Sequence, residues 1–277
     1  MLKASIDLGT NTCLLLIAEV ESGCVNMVLG DYARIIRLGE GVDKTKYLQP
    51  EAIERTLKCL DEYRKIISTA GILPGDVICV ATSQARDAEN GSEFFAMVEA
   101  DLGFVFRVVS GKDEARLSFK GSLLPNMEAS NHAVVDIGGG STEFVTTNDG
   151  RSIDLGSVRF TERYLKSDPV IDKEFHICLN EIDNKLEVLV DWRNSIASDM
   201  QMLAVAGTAT TLASWHLRLR EFDAAEVEKV QLTSVDLHRM VEELKRMTVS
   251  ERRDQVGIEP KRADVLLAGA MIMWRIM

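Results

Sequence analysis

The chain has 277 residues, and its 46% hydrophobic content is enough to bury one large core or two smaller ones. Its 43 acidic residues outnumber 32 Lys and Arg residues, which gives a formal net charge of −11. This balance argues against a nucleic acid or other polyanion held along a broad surface, because such binding needs a basic stripe. Five scattered cysteines indicate reduced thiols, and the chain shows no leader and no long apolar run, so we expect a cytoplasmic protein without a membrane partner.

In the first half of the chain, the elements are predicted in the order strand, strand, strand, helix, strand, helix, strand. Pro50 begins the first helix and Gly71 ends it. Strands are predicted at 3–8, 13–20, 25–38 (with a turn near Gly30), 77–81 and 104–109, and further helices at 94–102 and 112–123.

The second half repeats this order with a longer helical part. Strands are predicted at 133–137, 143–147, 152–155 and 203–206, and helical sequence at 170–196, 234–247 and 262–277. The segment 123–131 has the composition of a linker. We therefore predict two lobes, 1–124 and 125–277, and the pattern leaves open whether the last helix packs at their interface.

Glycines, hydroxyls and carboxylates follow the first strand of each half. Asp136 precedes Gly138-Gly-Gly-Ser-Thr-Glu143, and Asp7 precedes Gly9-Thr-Asn-Thr12. Glycines let successive backbone N–H groups approach an anion, so the duplicated layout favours phosphate loops over ordinary tight turns. A third stretch, Gly207-Thr208, opens a helix whose first N–H groups can also face a phosphate, although an ordinary strand-to-helix turn has the same pattern.

Five motifs in order resemble the exopolyphosphatase / guanosine pentaphosphate phosphohydrolase family, in a short two-domain form. They lie at 6–12, 81–90, 110–117, 136–143 and 206–208, and the likeness continues to 262–270. The resemblance implies an α/β fold with two ribonuclease H-like lobes of the actin, sugar kinase and heat-shock ATPase clan and a cleft between them. It also implies hydrolysis of the terminal phosphate of inorganic polyphosphate or of guanosine pentaphosphate (pppGpp).

The resemblance assigns roles to residues whose types suit phosphoanhydride cleavage. Glu114 matches the family's catalytic glutamate, the general base on the attacking water, whereas its place in a first helical turn also suits capping. Carboxylates at loop edges suit Mg²⁺, and the predicted metal ligands are Asp7, Asp136 and Glu143. The predicted substrate ligands are Thr10, Asn11, Thr12, Arg86, Gly139, Gly140, Ser141, Thr142, Gly207 and Thr208.

Two other functions fit parts of the pattern. A phosphotransferase of the same clan would use ATP to phosphorylate a sugar or an acid, and an alarmone-binding regulator would keep the loops without turnover. Glu114 in its Ser-Gly-x-x-Glu-Ala-Arg context argues against both. The longer members of the resembled family carry further helical domains that this sequence lacks, so we expect short polyphosphates to be favoured. The sequence leaves open whether the protein forms a homodimer.

Overall fold

The computed structural model describes residues 1–123, 127–197 and 199–277. The chain forms two compact units, Met1–Ser110 and Gly111–Met277, and each is described by itself. Residues 124–126, where the sequence places the boundary between the lobes and part of the linker, lie outside the described residues. The lobe boundary therefore stays a prediction, while residues 111–123 belong to the second compact unit.

The first unit is a mixed five-stranded sheet with helices. Its sheet has the order β3-β2-β1-β4-β5, in which β1, β2 and β3 are antiparallel neighbours and β4 and β5 continue in parallel from β1. The elements are β1 Leu2–Leu8, β2 Thr12–Glu21, β3 Cys24–Ile35, α1 Val42–Thr45, α2 Pro50–Thr69, β4 Val77–Ala81, α3 Ser83–Asp87, α4 Gly91–Leu102 and β5 Phe106–Val108.

Alternation of side chains along β1 places its apolar residues on one face of this sheet. Ala4, Ile6 and Leu8 are buried there and pack in one cluster with Leu60 and Tyr63 of α2. Pro50 is the first residue of α2, as the sequence predicts, because proline lacks only an N–H that the first turn leaves unbonded. The predicted order of strands and helices is confirmed for this unit.

The turn predicted near Gly30 is wrong, because β3 runs on as one strand. The pairing of β2 with β3 shifts between Ile17 and Ala18, which marks a β-bulge on the partner strand beside Gly30. A Cβ atom on Gly30 would lie 2.6 Å from the ring of Tyr32. The glycine therefore leaves room for the end of the Tyr32 ring.

The second unit is built on a four-stranded mixed sheet with the order β8-β7-β6-β9. Strand β6 pairs antiparallel with β7 and parallel with β9, and β7 pairs antiparallel with β8, which repeats the start of the first sheet. The elements are α5 Gly111–Ser122, β6 His132–Ile137, β7 Thr142–Val145, β8 Gly150–Ile153, α6 Ser157–Tyr164, α7 Asp172–Leu186, α8 Val190–Ser195, β9 Gln201–Val205, α9 Ala206–Leu217, α10 Ala224–Val227, α11 Ser234–Arg246, α12 Val249–Arg253 and α13 Leu266–Ile276.

The two faces of this second sheet carry different cores. Val135 faces a large cluster that includes α11 and α13, whereas Val134 faces a small cluster with Ala115 and Phe119 of α5. Because side chains alternate along a strand, Asp136 lies on the same face as Val134. Helix α5, which carries Glu114, thus packs on the sheet face to which Asp136 belongs.

The last helix, α13, packs within the second unit. It contacts α6, α7, α9 and α11 and is buried along most of its length. It begins at Leu266, four residues later than predicted, because a short 3₁₀ turn at Pro260–Arg262 comes first. Within the described residues, no helix combines the length and the apolar character that crossing a membrane requires.

Candidate active site

The glycine loop after β6 is fixed by the start of α6. The first three backbone N–H groups of α6 donate to the carbonyls of Gly138 and Gly139 at 2.9 to 3.1 Å, and Nε of Arg159 donates to the carbonyl of Gly140 at 2.7 Å. In a trans peptide the N–H group points in the direction opposite to the carbonyl group. Because the loop carbonyls point toward α6, the N–H groups of the same peptides point away from α6. Successive N–H groups on one side of a loop form an anion-binding concavity.

Gly156, the residue before α6, makes this contact possible. Its backbone is extended, with φ −132° and ψ 154°, a conformation that any residue can adopt. A Cβ atom here would nevertheless lie 2.3 Å from the carbonyl oxygen of Gly139 and 2.5 Å from the carbonyl carbon of Gly140. Only glycine lets the chain approach the loop this closely.

A row of polar side chains crosses the second sheet beside this loop. Asp136 on β6 lies directly opposite Glu143 on β7, which in turn lies opposite Ser152 on β8. The hydroxyl of Ser152 donates to Oε1 of Glu143 at 2.8 Å, and that of Ser118 on α5 donates to Oδ2 of Asp136 at 2.6 Å. Glu143 is only 1% exposed. Two carboxylates thus lie side by side, and each accepts a hydroxyl hydrogen bond.

The charges of this row disfavour one another. Burial raises the pKa of Asp136, and the hydrogen bond from Ser118 opposes that shift. Burial also raises the pKa of Glu143 well above its usual value, the negative charges of Glu114 and Asp136 raise it further, and hydroxyl hydrogen bonds lower it. The three acids that the sequence selects in this unit, Glu114, Asp136 and Glu143, are therefore close enough to interact.

The carboxylate pair fits a magnesium ion that also takes oxygens from a substrate. Among the described residues, no three His, Cys, Asp or Glu side chains converge as a complete metal site. Mg²⁺ does not need such a cage, since it is usually bound by one or two carboxylates together with waters and phosphate oxygens. Burial raises the pKa values of both Asp136 and Glu143, and the charges of Glu114 and Asp136 raise the pKa of Glu143 further; a divalent cation would offset both effects.

The third predicted loop lies where β9 ends and α9 begins. Ala206 has a φ of 67°, an uncommon backbone conformation for a residue with a side chain. A Cβ atom on Gly207 would lie 1.8 Å from Nη1 of Arg262, so the guanidinium group packs directly on this glycine. Burial lowers the pKa of Arg262, and the charge of Glu259 opposes this shift.

Thr208 follows Gly207 in the first turn of α9. A Cβ atom on Gly269 of α13 would lie 2.7 Å from the methyl group of Thr208, so this glycine makes room for the threonine. Thr208 is buried, and α13 thereby helps to hold the start of α9. The backbone at the start of α9 is thus braced by two close approaches to glycine.

The first unit contains a buried polar loop of its own between β1 and β2. The N–H of Gly9 donates to the carbonyl of Thr12 at 2.9 Å, which closes a tight turn, and the Thr10 hydroxyl donates to Oε1 of Gln84 at 2.8 Å. Asn11 is 6% exposed, and within the part of the chain described here neither Nδ2 nor Oδ1 of its amide has a hydrogen-bond partner. A buried amide without partners is costly, so this one indicates a ligand position.

Asp7 and Arg86 occupy other places in the same unit. Asp7, near the end of β1, is partly buried and lies opposite Leu14 of β2. Arg86, on the short helix α3, is exposed and donates from Nη1 to the carbonyl of Val109 at 2.9 Å. Thr12 begins β2 immediately after the loop.

The predicted site residues thus fall into two groups, one in each unit. The second unit brings Glu114 together with the residues of the β6–β7 loop, although the Thr142 hydroxyl donates to the carbonyl of Leu155 inside the fold. Sequence reasoning missed four residues that hold this group, namely Ser118, Ser152, Gly156 and Arg159. The spacing of Glu114 and Ser118, one helical turn apart, is a signal that could have indicated one of them.

Comparison with known proteins finds relatives along nearly the whole chain. Residues 16–277 match the Ppx/GppA phosphatase family. The chain is 36% identical over 285 residues to exopolyphosphatase 2 of Mycobacterium tuberculosis, covering 98% of the chain and 88% of that protein. It is 35% identical over 288 residues to a bifunctional 3-dehydroquinate synthase/phosphatase of Fusobacterium nucleatum, covering 100% of the chain and 43% of that protein.

A crystal structure of an exopolyphosphatase-like protein superimposes with a TM-score of 0.89 at 33% identity, over 100% of this chain and 88% of the other. A crystal structure of the Aquifex aeolicus family member superimposes with a TM-score of 0.77 at 30% identity, over 99% of this chain and 89% of the other. Sequence and fold agree along nearly the whole chain. The chain belongs to the Ppx/GppA phosphatase family.

Proposed function

We propose that this protein is a Mg²⁺-dependent phosphoanhydride hydrolase that releases the terminal phosphate of inorganic polyphosphate, with short chains favoured, or of pppGpp. The observation that carries the proposal is the placement of Glu114 beside the Asp136–Glu143 pair and the anchored glycine loop. An exopolyphosphatase aligns with 98% of this chain, and a guanosine-5′-triphosphate,3′-diphosphate pyrophosphatase aligns with 69% of it, which is 38% of that protein. We place the protein in the cytoplasm, where its five free cysteines would stay reduced.

In this proposal, neutral and positively charged hydrogen-bond donors bind the phosphate oxygens of the substrate. The N–H groups that follow Gly139 and Gly140, with Ser141 beside them, would hold phosphate oxygens, and those that open α9 at Gly207 and Thr208 would add to them. Thr142 stays a predicted ligand, although its hydroxyl donates to the carbonyl of Leu155. From the first unit, the unpartnered amide of Asn11 supports a further phosphate contact. Thr10, Thr12 and Arg86 stay in the proposed set, in which Arg86 supplies a charge-assisted hydrogen bond.

Asp136 and Glu143 of the second unit would hold the metal ion, and Asp7 in the first unit stays a predicted metal ligand. Held there, Mg²⁺ would neutralise charge on the phosphate oxygens of the substrate. The bond from Ser118 engages Oδ2 of Asp136 and the bond from Ser152 engages Oε1 of Glu143, while Ser141 of the glycine loop also hydrogen-bonds to Glu143.

Glu114 would orient a water molecule and accept its proton as the water attacks the terminal phosphorus. Glu114 lies close enough to Glu143 for their charges to interact, which places the proposed base beside the proposed metal ligands. A transfer to a sugar would need an acceptor alcohol in place of water, and a regulator without turnover would not need a base here. The homodimer considered from sequence stays a prediction.

The first prediction concerns the base. Glu114→Gln keeps the size of the side chain but removes its proton affinity, so phosphate release should fall by roughly 10² to 10⁴ while thermal stability changes little. Glu243→Gln, an exposed glutamate on α11, is the matched control and should behave as wild type. Phosphate release from polyphosphate and pppGpp should be measured for all three proteins; half of the wild-type rate in Glu114→Gln would refute the assignment.

The second prediction concerns the metal. EDTA should stop phosphate release and Mg²⁺ should restore it. Asp136→Asn removes a charged ligand, so the Mg²⁺ concentration for half-maximal rate should rise by about tenfold or more. Asp191→Asn, at an exposed position of α8, serves as the control. A Mg²⁺ titration that is the same for Asp136→Asn and wild type would remove Asp136 from the ligands.

The third prediction concerns the loop anchor. In Gly156→Ala the new methyl group meets backbone atoms of Gly139 and Gly140, so the loop must move. A displacement on the order of 1 Å at a phosphate site costs about 100-fold, and we expect kcat/KM to fall accordingly. Gly150→Ala, whose methyl group would lie 3.5 Å from Ala115, should be nearly neutral. Equal kcat/KM values for the two variants would contradict the anchoring role.

The fourth prediction concerns chain length. Because acidic residues outnumber basic ones by 43 to 32, the phosphates beyond the site would gain little from the surrounding surface. Catalytic efficiency per chain end should therefore favour short polyphosphates, and long ones should be shortened in separate encounters. Gel analysis of an end-defined long polyphosphate should show intermediate lengths; full-length polymer beside free phosphate alone would show processive action and refute this part of the proposal.

A further inference from the structure

Two serine hydroxyls contact the carboxylate pair from opposite sides. Ser118 approaches Asp136 from helix α5, at 2.6 Å from Oδ2, and Ser152 approaches Glu143 from strand β8, at 2.8 Å from Oε1. The two serines belong to different elements, and neither belongs to the glycine loop. Each hydrogen bond engages one oxygen of a carboxylate and restricts its rotation.

The position of Ser118 links it to Glu114. The two residues lie one turn apart on α5, and this helix is packed on the sheet by Ala115 and Phe119. A hydrogen bond from this helix to Asp136 therefore ties the carboxylate to the element that carries the proposed base. Ser152 completes the row on the other side of Glu143, as its direct cross-strand neighbour.

We propose that Ser118 and Ser152 are positioning residues, which orient the second oxygens of Asp136 and Glu143 toward one divalent cation. This inference rests on the proposed function, in which a divalent cation bound by these carboxylates takes part in hydrolysis. Groups that hydrogen-bond to metal-ligating carboxylates fix their orientation and influence metal affinity. The hydroxyls act through the carboxylates and do not themselves contact substrate.

A purely structural role would give a different pattern from a positioning role. Ser122, one turn beyond Ser118 on α5, offers the matched control, because its hydroxyl donates to the backbone carbonyl of Ser118 at 2.6 Å. Ser122→Ala also removes a hydroxyl from α5, but leaves the carboxylates untouched. A loss confined to Ser118→Ala and Ser152→Ala therefore reports on the carboxylates and not on the helix.

The test is a Mn²⁺ titration of the full chain without substrate, in which the electron paramagnetic resonance signal measures free Mn²⁺. Loss of such a supporting group typically costs 10- to 100-fold, so Ser118→Ala and Ser152→Ala should each raise the Kd for Mn²⁺ by at least about tenfold. Ser122→Ala should match wild type, and Ser118→Thr, which keeps the hydroxyl, should restore binding. Thermal unfolding checks that every variant is folded, and Ser152→Ala decides the question should Ser118→Ala not fold.

Kd values for Ser118→Ala and Ser152→Ala within about twofold of wild type would overturn the inference. An equal loss in Ser122→Ala would also overturn it, because the effect would then belong to the helix. Wild-type protein that binds Mn²⁺ but hydrolyses neither polyphosphate nor pppGpp would refute the proposed function, and the comparison of Kd values would still decide the role of the serines. Wild-type protein that binds no Mn²⁺ would overturn both.

Discussion

The backbone contact between the loop after β6 and the start of α6 is the constraint on which the second unit's chemistry depends. Helix N-termini have N–H groups without partners in the helix, and here three of them are satisfied by loop carbonyls. The same bonds fix the peptide planes of the loop, so satisfying the helix also orients the N–H groups for an anion. Gly156 permits the approach, and Arg159 adds a bond to the last glycine carbonyl. Helix capping and the proposed anion binding would thus have one structural cause.

The two units share a strand order but differ at one pair of positions. Asp136 and Asp7 both stand near the end of the first strand of their sheets, yet the residue directly opposite is Glu143 in one and Leu14 in the other. Leu14 is 40% exposed, whereas Glu143 is buried. Among the described residues, a directly opposite pair of carboxylates occurs in the second sheet and not at the matching position of the first. Both units repeat the loop, but the residue opposite the aspartate differs. Glu143 at this position of the second unit, where the first has Leu14, gives the second unit the stronger interaction between charges.

The repeated order of strands and helices could be predicted because local sequence patterns determine it. Apolar alternation, Pro50 and the glycine runs each act over a few residues, and the elements follow them. Gly30 misled the prediction because a glycine that makes room for a ring has the same sequence signal as a turn. Gly156, Ser118 and Ser152 were missed because their partners lie 16 to 18 residues or one strand away. Such contacts depend on register and close approach, which a single sequence does not encode in a local pattern.

The carboxylate row carries a cost to folding that the fold itself does not offset. Like charges directly opposite each other on a sheet are destabilising, and burial adds to the cost, as the raised pKa values of Asp136 and Glu143 indicate. An apolar pair would suit the adjacent cluster of Val134 and Val145 better. Hydroxyls from two separate elements reduce this cost without removing the charges. Residues that oppose stability and are then supported in this way are expected where function requires them, and the buried carboxylate row therefore supports the proposed site independently of any relative.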